Sequence, residues 1–245
     1  MDLKVKSNSL SFSEGFKDGI PIGLGYLSVS FGFGIMAVSN GLPVLAAVLT
    51  SMTNLTSAGQ VAGIGIIAAG GTLLEMILAQ LIINMRYALM SISLSQKLDG
   101  SFTTLHRFLA SFGITDEIFA VASGKGREIS NKYMYGLILF PFIGWSTGTF
   151  LGAIAGEVLP ESIKAALGIA IYGMFIAIFI PPARKSVGVL TVVAVSAGLS
   201  CCFKYIPVLS GVSGGFVIII CALAASAAGA MLFPVKEEKE DGNDG

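Results

Sequence analysis

Residues Leu73 to Ser95 read LLEMILAQLIINMRYALMSISLS. As a helix this stretch is about 35 Å long, enough to cross a hydrocarbon core of about 30 Å. It nevertheless carries Glu75, Gln80, Asn84 and Arg86 among its apolar residues. An arginine at membrane depth costs roughly 2.5–3.5 kcal/mol on insertion scales. At about 100° per residue, Gln80, Asn84, Tyr87 and Ser91 share one stripe of the helix. Glu75 and Arg86 share a second line, roughly 120° round from the first. Three readings fit. The stripe walls a polar cavity, or it bonds neighbouring helices, or Arg86 snorkels to the headgroups from two turns inside the helix end.

The rest of the chain fits a membrane setting. Its 245 residues are 54% hydrophobic and only 12% charged, with mean hydropathy +0.82. Soluble domains carry about a quarter charged residues. Long apolar runs in lipid must be helical to satisfy their own backbone, and a β-barrel would alternate instead. The fold class expected is all-α, a polytopic membrane helix bundle. Formal net charge is zero, so no nucleic-acid partner is expected and the bilayer is the expected surroundings. Cys201, Cys202 and Cys221 lie in or beside apolar runs and give neither a disulfide framework nor metal spacing. The start, MDLKVKSNSLSFSEGF, lacks the apolar core of a cleaved signal peptide.

Upstream, residues 1–17 read as a polar lead and 18–39 as the first span. That span is rich in glycine, including Gly25, and Pro21 near its start is a candidate helix break. Residues 44–71 have apolar ends of only about ten residues. Between them lie Thr50, Ser51, Thr53, Asn54, Thr56, Ser57, Gly59 and Gln60. Two short helices around a polar break are a known way to build a midplane substrate site. Charge supports a re-entrant segment. Lys4, Lys6 and Lys17 place the lead inside, and Lys97, Arg107, Lys125, Arg127 and Lys132 do the same for 96–133. Both hold only if 18–95 crosses an even number of times.

Downstream spans fall at about 134–156, 162–180, 187–204 and 211–233, with Pro181 and Pro182 expected to end the second of these. The expectation is six full spans plus one broken segment in a single transmembrane domain, 18–233. A cytoplasmic loop at 96–133 and an acidic cytoplasmic tail at 234–245 complete it. Seven spans with an external N-terminus is the alternative. Thr115, Asp116 and Glu117 read as a helix start, a threonine cap followed by carboxylates; either acid can also pair with Arg86 or carry protons. Pro21, Gly32 and Pro43 are echoed by Pro141, Gly152 and Pro160, a weak internal repeat.

Familiar enzyme chemistry is missing. Gly211-Val212-Ser213-Gly214-Gly215 fits G-x-S-x-G, but the only histidine, His106, precedes it in a polar segment. No phosphate-binding loop and no metal-ligand cluster is spaced in the chain, so no cofactor and no enzymatic activity is expected.

The first half resembles the AzlC/YgaZ family of bacterial branched-chain amino acid permeases. The matching pieces are Asp18-Gly19-Ile20-Pro21-Ile22, Leu24-Gly25-Tyr26, Phe31-Gly32, Ser51, Thr56-Ser57-Ala58-Gly59-Gln60, Asn84-Met85-Arg86-Tyr87, Leu89-Met90, Ser93-Leu94-Ser95 and Thr115-Asp116-Glu117. The second half shares only small-residue character and spacing. The resemblance implies a multi-pass protein of the bacterial cytoplasmic membrane, exporting valine, leucine or isoleucine and in some members methionine. It also implies a small hydrophobic companion membrane subunit (AzlD/YgaH-like). It does not say which residues bind substrate. By polarity and position, Ser51, Asn54, Ser57 and Gln60 are expected to face Gln80, Asn84, Arg86 and Tyr87 around an amino acid zwitterion. Glu75, Asp116 and Glu117 are the candidate proton carriers, since no ATP site is encoded. A channel, a transporter of another small solute and a non-transporting scaffold subunit are the alternatives.

Overall fold

A computed structural model describes residues 10–234. It contains α1 (Phe12–Ser39), α2 (Val44–Thr53), α3 (Ala58–Ala68), α4 (Leu73–Ser95) and α5 (Thr104–Phe112). These are followed by α6 (Asp116–Ser123), α7 (Asn131–Val158), α8 (Glu161–Lys185), α9 (Val187–Tyr205) and α10 (Gly214–Leu232). Among the described residues α1, α4, α7, α9 and α10 are long and apolar enough to cross a membrane. The 25-residue α8 occupies the fourth expected span. It runs through Pro181 and Pro182 to Lys185, because the Ser186 amide still reaches the Pro182 carbonyl at 3.0 Å. The expected stop at the two prolines is therefore corrected. The chain divides into two compact units, one ending at Met174 and the other starting at Phe175. In the second unit α9 and α10 pack antiparallel, Gly188 against Phe233 and Gly229 against Val192.

The first unit is built on α1 and α7. Ser11 caps α1 in a reciprocal box, accepting from the Glu14 amide at 3.3 Å while its own amide donates to Glu14 Oε2 at 2.7 Å. The helix thus starts at Phe12, and the polar lead expected over 1–17 ends at residue 11. Residues 1–9 and 235–245 lie outside the described residues, and the acidic tail with them. Ser130 caps α7 by accepting from the Tyr133 amide at 3.1 Å, and both helices are 28 residues long with an internal proline. They run side by side in parallel: Gly15 meets Tyr133, Gly23 meets Phe140 and Gly144, and Gly34 meets Thr149 and Ala153. A Cβ on Gly23 or Gly144 would enter the opposite backbone, so glycine lets the helices touch along their whole length. α1 and α7, which carry Pro21 and Pro141, thus lie side by side. α1 is unbroken through Pro21, so the opening expected there is corrected: packing against α7 on both sides holds the helix. Gly25 has no atom within 4 Å of where a Cβ would stand, and so takes no part in packing.

Contacts also fix the path between α1 and α7. α2 runs antiparallel to α7, Ser51 opposite Thr149 and Leu55 clustered with Trp145. α3 runs antiparallel to α4, with Gly59 beside Gln80 and Asn84, and Gly63 beside Met76. The end of α4 returns to the start of α7, where Leu94 packs in one core cluster with Met134 and Leu137. Hence α2 and α3 fill the same half of the unit and the chain leaves on the side it came from. This is the re-entrant arrangement expected from charge, and the seven-span alternative does not fit it.

The segment 96–133 departs from the expected loop. Ser101 holds the Asn131 amide at 3.0 Å, His106 Nδ1 lies 2.7 Å from the Tyr135 hydroxyl, and the Phe112 and Phe142 rings are 6.4 Å apart. α5 therefore climbs beside the first three turns of α7. α6 returns, and Lys125 and Arg127 pair with Asp18 (2.6 Å) and Glu14 (3.2 Å) at the start of α1. A bridge between Leu98 and Ile129 closes the base. Where a loop was expected, the segment forms a second helical hairpin, inserted from the opposite end of the unit to α2–α3. Its apolar stripe, Leu105, Phe108, Leu109 and Phe112, faces outward, while His106 turns to Tyr135 of α7.

Candidate functional site: the tips of two opposed hairpins

The α2–α3 tip, 54–57, lies at the height of Trp145, the middle of α7. Asn54 leaves α2 in an extended conformation, and Thr56 Oγ1 donates to Asn54 Oδ1 at 2.6 Å. Ser57 has φ 46° and ψ −77°, the only non-glycine positive φ among the described residues. Such a conformation costs about 1–3 kcal/mol and tends to mark functional turns. No side chain caps the N-terminus of α3, so its amides are directed into the middle of the unit.

On one side the tip is tied to α7. Trp145 Nε1 donates to Gln60 Oε1 at 2.9 Å; Gln60 Nε2 in turn donates to the Thr50 carbonyl (3.2 Å) and lies 3.4 Å from Ser51 Oγ. Ser51 and Thr149 share a 2.7 Å hydroxyl contact. All four side chains are buried. This network holds the short helices in place at a height where no water would do so.

On the other side stands α4. Gln80 Nε2 donates to the Gly59 carbonyl at 2.7 Å, and Asn84 Nδ2 donates to Gln80 Oε1 at 3.0 Å. Asn84 Oδ1 is buried and has no hydrogen-bond partner. Two residues on, Arg86 pairs with Asp116 and donates to the Tyr87 hydroxyl at 3.0 Å, which lies 3.5 Å from the Thr56 carbonyl. Asp116 and Glu117 open α6 behind Thr115, whose hydroxyl accepts from the Ile118 amide as the sequence predicts. The Tyr26 hydroxyl, from α1, reaches Thr115 Oγ1 at 2.6 Å and the Glu117 carboxylate. Thus the α5–α6 tip meets the α2–α3 tip across Arg86, Tyr87 and Tyr26.

The structure sorts the expected residues into groups. Asn54, Ser57, Gln80, Asn84, Arg86 and Tyr87 surround the tip, where Gly59 permits the close approach of Gln80. Ser51 and Gln60 turn to α7 and bond each other. Asp116 and Glu117 stand together, whereas Glu75 lies buried in the first turn of α4, beside Gly71 and eleven residues before Arg86. Trp145 and Thr149 escaped the sequence reading. The available signal was position: Trp145 is the sole tryptophan, and it falls mid-span, away from the interfacial belts where tryptophan collects.

Comparison with known proteins places the chain among membrane proteins. The inner membrane protein YgaZ of Escherichia coli K12 is 29% identical over 199 residues, covering 78% of this chain and 81% of that protein. An uncharacterized membrane protein of Archaeoglobus fulgidus is 30% identical over 177 residues, 71% of this chain and 77% of its own length. One from Helicobacter pylori is 26% identical over 153 residues, 60% of this chain and 66% of that protein. No solved structure matches. The AzlC protein family matches residues 21–159, from Pro21 to the end of α7, which takes in both hairpins and more than half of the sequence. This multi-pass membrane protein belongs to the AzlC family.

Proposed function

We propose that the protein is a secondary transporter exporting branched-chain amino acids across a bacterial cytoplasmic membrane, together with a small hydrophobic companion subunit. The observation that carries the reading is the unwound, uncapped tip at mid-height beside the unpartnered Asn84 Oδ1. The amides at the start of α3, which no side chain caps, suit a substrate carboxylate. Asn84 Oδ1 suits its ammonium group, and Asn54, Ser57 and Tyr87 add hydrogen bonds. The paired Arg86 and Asp116 keep charge available without leaving either ion alone at depth. Asp116 and Glu117, joined to Arg86 and Tyr26, are the groups proposed to couple export to a proton gradient. An aliphatic side chain is selected by methylenes worth about 1–3 kcal/mol each, so valine, leucine and isoleucine compete with one another.

The test is counterflow of labelled leucine in proteoliposomes, with and without the companion. Saturable exchange competed by valine and methionine, but not by lysine or glutamate, is the expected result. Absence of exchange under both conditions overturns the reading.

A further inference from the structure

A cavity of about 280 Å³ lies below the two tips, between the last turns of α4, α5 and the first turn of α7. Leu94, Phe102, Ile114 and Met134 give it an apolar floor. Ser91, Ser111 and Arg107 stand at its polar rim. Its volume is about nine times a water molecule's share of the liquid, ~30 Å³, which suits an amino acid of leucine's size. Among the described residues the Arg107 guanidinium has neither an ion pair nor a hydrogen bond. Ser91 continues the stripe Gln80, Asn84, Tyr87 along α4, so the cavity and the tip open on one face of one helix. The Arg86–Asp116 pair and Tyr87 stand between them.

We infer that this cavity is a second binding site for an aliphatic amino acid, on the inner side of the tip site, with Arg107 holding the carboxylate and the apolar floor taking the side chain. The inference rests on the proposed export of such amino acids and adds where the cargo first docks. The Arg86–Asp116 pair then separates the docked cargo from the tip and must part for each molecule to pass. An anionic phospholipid offers Arg107 a phosphate and the floor a chain in the same way, and the protection experiment separates it from the amino acid.

Site-directed thiol labelling tests it in the full chain, in proteoliposomes, with Cys201, Cys202 and Cys221 replaced by serine. Ser111→Cys places a thiol at the rim, and Thr104→Cys places one at the exposed start of α5 as a control. Leucine at ten times its Kd should slow methanethiosulfonate labelling of Ser111→Cys roughly tenfold, since about a tenth of sites remain open. Thr104→Cys should label at an unchanged rate, and lysine should protect neither. Adding Arg107→Gln to Ser111→Cys should remove the protection. Counterflow measured on the same vesicles separates the two proposals. Normal counterflow without protection of Ser111→Cys overturns the docking site alone and leaves a lipid-filled cavity. Protection without counterflow supports the site while export fails. Loss of both overturns both.

Discussion

Two side-chain contacts decide whether the tips stay where they are. Trp145 donates to Gln60, and Gln60 spends both ends of its amide on holding α2 and α3 against α7. Trp145→Phe keeps most of the bulk but leaves Gln60 Oε1 buried and unpaired, a loss of about 1–3 kcal/mol. Thermal unfolding in detergent should show the drop. Gln60→Leu added to Trp145→Phe should cost less than the two single changes together, because the pair acts as one unit. Arg86 and Asp116 behave as a charge pair. Arg86→Gln leaves a carboxylate, and Asp116→Asn leaves a guanidinium, uncompensated in a poorly solvated place. Each single variant should lower the yield of inserted, folded protein, and the double variant should recover most of it. Transport should be lost in all three, since the double variant restores neutrality but not the charges. Normal counterflow by Arg86→Gln would reduce Arg86 to an anchor.

At the level of elements, the two hairpins make opposite lessons in reading a sequence. The α2–α3 break was legible because ten-residue apolar ends flank a run of hydroxyls and amides that no continuous span would carry. The α5–α6 hairpin was not legible. Its outward stripe is apolar while His106, Arg107 and Ser111 lie away from that stripe, so its average polarity is that of a solvated loop. Composition over a window sums the two sides and discards their direction. The re-entrant path of α2–α3 makes a sharp prediction. In the cysteine-free background, Asn40→Cys before α2 and Ala69→Cys after α3 should label with an impermeant reagent from one side, and Gly100→Cys from the other. Labelling of positions 40 and 69 from opposite sides would sink the hairpin and restore a seven-span topology. A second prediction concerns the helix pair. Gly152→Val would push into the Phe31 backbone, and with no flexible side chain to yield, the α1–α7 contact must open. Overpacking costs about 1–3 kcal/mol or more, and a strong loss of folded protein after extraction is expected.

For the whole molecule, the sequence showed where the long apolar helices lie, because these follow from hydropathy. It did not show that the chain folds as two compact units, since that depends on which helices touch. The family match ends where α7 ends, so the part of the chain with recognisable motifs is also the part built on the α1–α7 pair. That pair has a consequence for how the protein is made. α7 begins about 120 residues after α1. At about 5–20 residues per second, synthesis leaves α1 waiting roughly 6–24 s for the partner its glycine face is cut to fit. During that time the face meets only lipid, the insertion machinery or the hairpins emerging after it. A chain stopped before Asn131 would never bury it, and should be recognised by membrane quality control as an orphan and degraded faster than the complete protein.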